Sequence, residues 1–369
     1  MKRILVFSAI SVVLLITAGL VYFFWIEGQS KIASPAMRAI PIDAGIIVRS
    51  ENFEELSHKL QKESQLWAVA QDFNLVSEAS RIMNWADSVS AISTSFSQLI
   101  YGNPVFLSVH PIGKGEPCIL LTANIPKGIK VSEILGLTSQ LAEGRFKLSE
   151  KKYNNVTIYS FTGSPSENIS QLSLALHQNV IVVSTSLLLV ESAIGQLGSG
   201  TSFLEDKHFT GIQKTAGSRV DANVYVNHNK TNGIFKQQVN KSYRHGFVSL
   251  SDVSLWSELD LILKPDAISL NGFSQVSDSL NTFYRVFLKQ KPVQTQVTKI
   301  LPAQTAAFSF IGISDVNTYL QQYKNYLHGN SRLRNYQQEL DDLSKKLGVN
   351  VKDFYTSFFK EELALVFIP

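Results

Sequence analysis

Ile40-Pro41-Ile42-Asp43-Ala44-Gly45-Ile46-Ile47-Val48 and Leu301-Pro302-Ala303-Gln304-Thr305-Ala306-Ala307-Phe308-Ser309 are the two stretches on which the fold turns. Each sets a proline turn ahead of a short apolar strand, and each strand leads into a capped helix. In the first, Asn52 with Glu55 three residues on reads as a capping box, opening a helix with Phe53, Leu56 and Leu60 on one face. In the second, the cap falls near Ser314-Asp315. The two stretches also close alike: Asn103-Pro104-Val105-Phe106-Leu107-Ser108-Val109-His110-Pro111 answers Glu361-Glu362-Leu363-Ala364-Leu365-Val366-Phe367-Ile368-Pro369. The intervals from first to last proline are 70 and 67 residues. Agreement in order and length predicts a duplicated strand-helix-helix-strand unit.

Between the copies the pattern predicts more sheet. A second helical stretch runs from Val76 to Leu99, and Pro104–His110 and Cys118–Ala123 form a hairpin through Gly113-Lys114-Gly115. Further strands are expected at Val156–Phe161, Ala222–Val226, Leu255–Leu263 and Ala267–Phe273, with a turn at Lys264-Pro265-Asp266 and a helix from Leu187. Asn168–Val190 lacks Asp, Glu, Lys and Arg, yet Leu172, Leu174 and Leu176 alternate with small residues before His177-Gln178-Asn179 interrupts. That is a hairpin with a polar turn and not a membrane span. The expected class is α+β, with largely antiparallel sheets and inserted helices.

The N-terminus is read separately. Ile4–Ile26 carries no charge and, at ~1.5 Å per residue, reaches about 34 Å as a helix, enough for a ~30 Å hydrocarbon core. Lys2 and Arg3 precede it, and Tyr22 and Trp25 close its far end. A cleavable signal peptide is the alternative, but its apolar region is normally 7–15 residues and ends in a small-x-small site, for which Gly28-Gln29-Ser30 is a poor candidate. The expected organisation is a cytoplasmic stub 1–3, a signal-anchor 4–26, a linker 27–38, a first α+β unit with extended sheet 39–299, and a second copy 300–369. The ectodomain is expected outside the cytoplasm. Lys31 and Arg38 balance Lys2 and Arg3, so the charge rule hardly votes; the start of the segment at residue 4 favours that orientation.

Composition limits the rest. With 44% hydrophobic and 17% charged residues the chain can bury a core. The net charge of +4 is dispersed, and its densest group, Arg145, Lys147, Lys151 and Lys152, reads as a solvated sheet edge. No basic face interleaved with aromatics exists, which argues against nucleic acid. The single cysteine, Cys118, excludes an internal disulfide and a cysteine cage for zinc, and none near residue 30 offers a lipid attachment site.

The Pro-x-Asp/Gln openings, the helix Asn52-Phe53-Glu54-Glu55-Leu56 and the run Leu347–Ile368 together resemble a bacterial family of membrane-anchored extracytoplasmic proteins classed as a domain of unknown function. The resemblance covers the anchor and both copies. It implies an envelope protein without assigned activity and carries over no functional residues.

No catalytic signature stands out. Ser149-x-x-Lys152, Ser166-Glu167-Asn168 and Lys214-Thr215-Ala216-Gly217 mimic the motif order of serine-acylating β-lactamases, but Ser149 sits in a polar turn between strands and not at the start of a buried helix. The histidines His58, His110, His177, His208, His228, His245 and His328 never fall at metal-ligand spacing with one another. Phosphate-loop, dinucleotide-fold and nucleophile-elbow motifs are missing, so no cofactor, metal or catalytic residue is assigned. Tyr319, Tyr323 and Tyr326 lie at helical spacing and read as a core face. Leu333, Tyr336, Leu340, Leu343 and Leu347 give the next helix an apolar stripe, with Asp341–Lys345 and Asp342–Lys346 on its wet side and Gly348 as its end.

The leading functional expectation is a non-enzymatic scaffold or binding module meeting an envelope protein, glycan or lipid. The alternative is a hydrolase whose site converges from distant residues. One further expectation concerns the C-terminus: the strand Leu363–Ile368 lacks the following partner that Cys118–Ala123 supplies in the first copy. Either another strand replaces it or the chain continues, and the resemblance favours continuation.

Overall fold

The computed structural model describes residues 34–111, 117–129, 132–134, 136, 146–163, 171–235, 252–277, 279–359 and 361–368. The expected span Ile4–Ile26 lies outside them. Among the described residues no helix is long and apolar enough to cross a membrane. The stretch read as a linker closes with a helical turn, Pro35–Arg38, whose Ala36 and Met37 are buried. Ala36 N–H donates to Asn124 Oδ1 at 2.9 Å, and Thr122 Oγ1 donates to Ala36 O at 2.8 Å.

Twelve strands are formed among the described residues: β1 Ile46–Ser50, β2 Val105–His110, β3 Cys118–Asn124, β4 Phe146–Tyr153, β5 Val156–Gly163, β6 Gln171–His177, β7 Val180–Ser184, β8 Ala222–Asn227, β9 Trp256–Lys264, β10 Ala267–Ser274, β11 Ala307–Gly312 and β12 Glu362–Phe367. Ten of them make one sheet in the order β10-β9-β8-β1-β2-β3-β7-β6-β5-β4, and β11 and β12 make a second. The protein is therefore α+β with a large antiparallel sheet, as its alternating apolar runs predict. The hairpins turn where polar residues accept the left-handed backbone: Asn154 and Asn155 have φ of 47° and 61°, Gln178 and Asn179 of 48° and 60°. Two successive positive φ values fit the type I′ turn that matches strand twist. Asn168–Val190 thus contains the expected hairpin, β6–β7, over its described part.

The helix Phe53–His58 opens as the capping box predicts: Asn52 accepts from Glu55 N–H at 3.1 Å and its amide donates to Glu55 Oε2 at 3.0 Å. The single helix expected from 76 to 99 is instead two, Asn74–Ile92 and Thr94–Tyr101. Ser93 is extended, and its hydroxyl accepts from Phe96 N–H, so cap chemistry interrupts an otherwise continuous apolar stripe. Ile82, Met83, Ala86 and Val89 bury one face of the longer helix. In the sheet, Ile47, Leu120, Leu121, Ile181, Val182 and Val183 are closed to solvent, each worth about 1.5–3 kcal/mol of transfer free energy. β4 is an edge of this sheet, and Lys147, Lys151 and Lys152 on it are exposed, which discourages pairing with another chain.

The chain divides into two compact units. The first takes the described residues up to Thr210 with Ser218–Val224 and Asp260–Leu270; the second takes Gly211–Gly217, Tyr225–Leu259 and Asn271 onwards. In the second unit Tyr326 and Leu327 pack with Val286, and Phe283, Phe287, Tyr319, Tyr323, Leu333 and Tyr336 surround them. The tyrosine stripe is core, as its spacing predicts. The apolar stripe on the following helix, Leu333–Leu347, is covered along only part of its length. Leu333, Tyr336 and Leu340 are half-buried, whereas Leu343 and Leu347 are exposed. Periodicity names the apolar side of a helix but not whether a neighbour covers it. Its ion pair is Lys345 with Asp342 at 3.8 Å and not the i,i+4 pairs expected, and Gly348 ends it with φ of 69°.

The two strand pairs share their register. Ile46 faces Val109 across β1–β2, and Ala307 faces Phe367 across β11–β12. Gly45 N–H donates to Val109 O and Ala306 N–H to Phe367 O, both at 2.9 Å. The preceding turns match as well: Ala44 N–H donates to Pro41 O, and Thr305 N–H to Pro302 O.

Candidate functional site

β2 supplies the arrangement that comes nearest to catalysis. Residues two apart on a strand share a face, so Ser108 and His110 project together. The Pro41 turn, tied to the end of β2 by Gly45 N–H, brings Asp43 to the same place. Ser108 Oγ lies 2.8 Å from His110 Nε2, and His110 Nδ1 lies 2.7 Å from Asp43 Oδ1. This is the connectivity of a serine, histidine and aspartate triad. Acyl transfer also needs the serine open to a carbonyl, and here Ser108 and His110 are both 0% exposed while the Asp43 side chain is 48% exposed. The triad opens to solvent only at its carboxylate end. As built, it ties the turn before β1 to the end of β2.

Two clefts among the described residues lie in the first unit, and neither is lined by the triad. The smaller, about 360 Å³, lies beside Asp87, which accepts from Ser57 Oγ at 3.2 Å, Gln61 Nε2 at 3.4 Å and Tyr101 OH at 2.5 Å. Burial, and then the bond to Asp87, push the Tyr101 hydroxyl well above the ordinary tyrosine range. The larger, about 450 Å³, is lined by Lys59 between Asp221 and Glu55, each at 2.7 Å. Hydrogen bonds to Asp221 and Glu55 hold the ammonium above its ordinary value, against the pull of burial. In the smaller cleft Asp87 is held by neutral donors, and in the larger Lys59 is held by two carboxylates.

The serine-acylating mimic does not assemble. Ser149 and Lys152 stand on β4, where an odd spacing sends them to opposite faces. Ser149 Oγ donates to Ser160 O at 3.4 Å. Ser166-Glu167-Asn168 lies outside the described residues, and Thr215 Oγ1 donates to Ile212 O and Glu258 Oε2. Among the histidines, His58 pairs with Glu63 on the surface, His228 Nε2 lies 2.7 Å from Ser257 Oγ, and His245 is outside the described residues. No group of three metal-ligating side chains occurs among the described residues. Cys118 opens β3, half-buried.

The second unit presents a different kind of surface. On β12 Leu363, Leu365 and Phe367 are 52%, 61% and 54% exposed, with Ile368 at 57% beyond them. Phe308 and Phe310 on β11 stack at 6.2 Å on the other face and are 40% exposed. Alternate apolar side chains that stay this open in a folded sheet are characteristic of interaction surfaces.

The family model for DUF3352, described as a protein of unknown function, matches residues 102–369. The chain belongs to that family. The DUF3352 match takes in the strands from β2 to β12, including the run Leu347–Ile368 that carries the sequence resemblance. No curated protein matches the chain. Among solved structures, crystal form IV of TP0453 aligns over 62% of this chain and 75% of its own, with 9% identity and a TM-score of 0.31. A likeness of that size carries no argument about fold or function.

Proposed function

We propose that this DUF3352 protein is a membrane-anchored extracytoplasmic protein that works by binding, as a non-enzymatic scaffold of the bacterial envelope. The observation that carries the binding half is the open row Leu363, Leu365 and Phe367 on β12, set against a triad closed to solvent at Ser108 and His110. The anchoring half rests on Ile4–Ile26, uncharged, long enough to span and without a good cleavage site. The hydrolase alternative has the triad in its favour but needs a path to Ser108 Oγ. The test is fractionation of the full chain in a bacterial host, followed by protease treatment of spheroplasts. Unprocessed protein in the membrane, digested from outside, supports the reading. Mature protein beginning near Lys31, or protection from the external protease, contradicts it.

A further inference from the structure

We propose that the cleft beside Asp87 binds a small hydroxylated primary amine, the chemistry of an amino sugar, with the ammonium of the ligand against the Asp87 carboxylate. The site lies wholly in the first unit and is independent of the apolar row on β12.

Three helical segments turn polar residues to one place. Glu54, Ser57 and Gln61 recur at the three- and four-residue spacing of one helical face, Asp87 stands on Asn74–Ile92, and Ser97 and Tyr101 stand on Thr94–Tyr101. Faces where helices meet are apolar as a rule, and the same helices bury Leu56, Met83 and Phe96 at other positions. Here the polar faces leave a cleft of about 360 Å³. That volume falls near the lower end of the range for small-molecule sites, about 300–1,000 Å³, and suits one small ligand.

The backbone is unusual at the same wall. Ser64 N–H donates to Lys59 O at 2.9 Å, five residues back, so Lys59–Glu63 forms a π-helical turn. Single π turns are rare and frequently mark functional sites. This turn carries Gln61 onto the cleft, where its Nε2 donates to Ser57 Oγ at 2.8 Å and to Asp87 Oδ2 at 3.4 Å.

Charge fixes the class of ligand. The partners of Asp87 among the described residues, Ser57, Gln61 and Tyr101, are all neutral, so its carboxylate is oriented without being neutralised. Burial and the bond to Asp87 keep the Tyr101 phenol protonated, and it stays a donor. Glu54 adds a second carboxylate on the exposed rim, Lys62 offsets one of the two charges from an exposed position, and His58 is turned to Glu63. A concave wall with a net negative charge concentrates cations. An ammonium brings three donors and no acceptor, which matches carboxylate oxygens that only accept. The Ser97 hydroxyl and the Gln61 amide oxygen are suited to hydroxyl groups on the same ligand.

The probes separate the two halves of the ligand. The full chain in detergent is titrated by calorimetry with glucosamine, with glucose, which lacks the ammonium, and with methylammonium, which lacks the hydroxyls. Saturable binding of glucosamine, about tenfold or more tighter than of either other probe, is the expected result. Asp87→Asn keeps the shape and removes the charge, and it should weaken glucosamine by about tenfold or more. Glu54→Gln, on the exposed rim, should weaken it by about twofold to fivefold and carries the test if circular dichroism shows that Asp87→Asn fails to fold. No saturable binding of glucosamine, equal affinity for glucose or methylammonium, or an affinity indifferent to whichever of these variants folds overturns the proposal.

Discussion

His110 Nδ1 lies 2.7 Å from Asp43 Oδ1, and this bond joins the turn before β1 to the last residue of β2. At the corresponding positions of the β11–β12 pair stand Gln304 and Ile368, and Val366 takes the place of Ser108. The same register therefore forms without the polar tie, so the triad is not a requirement of that strand pairing.

Replacing either Ser108 or His110 leaves the other buried without this partner. We expect Ser108→Val alone to destabilise the protein by about 1–3 kcal/mol, because His110 loses its Nε2 partner where water cannot reach it. The pair Ser108→Val with His110→Ile, which reproduces the residues of the β11–β12 pair, should cost less than either single change. Urea unfolding followed by circular dichroism checks the order.

Lys59 bridges Glu55 on its own helical segment to Asp221, which also accepts from Leu263 N–H at 2.7 Å. Lys59→Met should cost about 1.5–3 kcal/mol, the usual worth of hydrogen bonds to charged groups. The folded ammonium titrates above its unfolded value. Its contribution is therefore complete below about pH 10.4 and lost as pH rises beyond that. Lys59→Met should accordingly flatten the alkaline limb of stability against pH.

Tyrosine titration reports the second unit. Burial, then the neighbouring Tyr323 and Tyr336, push the Tyr319 hydroxyl up to about 12. Burial raises Tyr323 and Tyr326 as well. Their folded values lie above the unfolded value near 10, so the stability they contribute is complete below about pH 10 and is lost as pH rises beyond it. Absorbance at high pH should show these phenols ionising late and together with unfolding. Tyr319→Phe should remove part of the late phase.

The β6–β7 turn gives a local check. Asn179 holds φ of 60°, which a β-branched residue resists. Asn179→Val should destabilise by about 1–2 kcal/mol and Asn179→Gly should not, as thermal unfolding of the two variants will show.

Where chemistry is local, the sequence announced it: Asn52 capping Glu55 N–H, the polar turn at Gln178-Asn179 and the lysines of β4 are each read from a few adjacent residues. The break at Ser93 is local too, but an apolar stripe that continues through it hides the cap. The Asp43–His110 bond was beyond reach, because the two residues are 67 apart and meet only through the β1–β2 register. The one local hint was Ser108 and His110 at strand spacing, legible as a shared face but silent about the third partner. Exposure of Leu343, Leu347 and Leu365 was equally hidden, since a pattern of apolar residues says which side seeks cover and nothing about what supplies it.

The most direct measurement of the central claim, that this protein binds and does not hydrolyse, is reaction of the full chain with a serine-directed fluorophosphonate. A serine of a working triad is labelled quickly because its oxygen is both activated and open. With Ser108 and His110 closed to solvent, we expect no label on Ser108 in the folded protein. Stoichiometric labelling of Ser108 that disappears in His110→Ala would contradict the account and establish the hydrolase in its place.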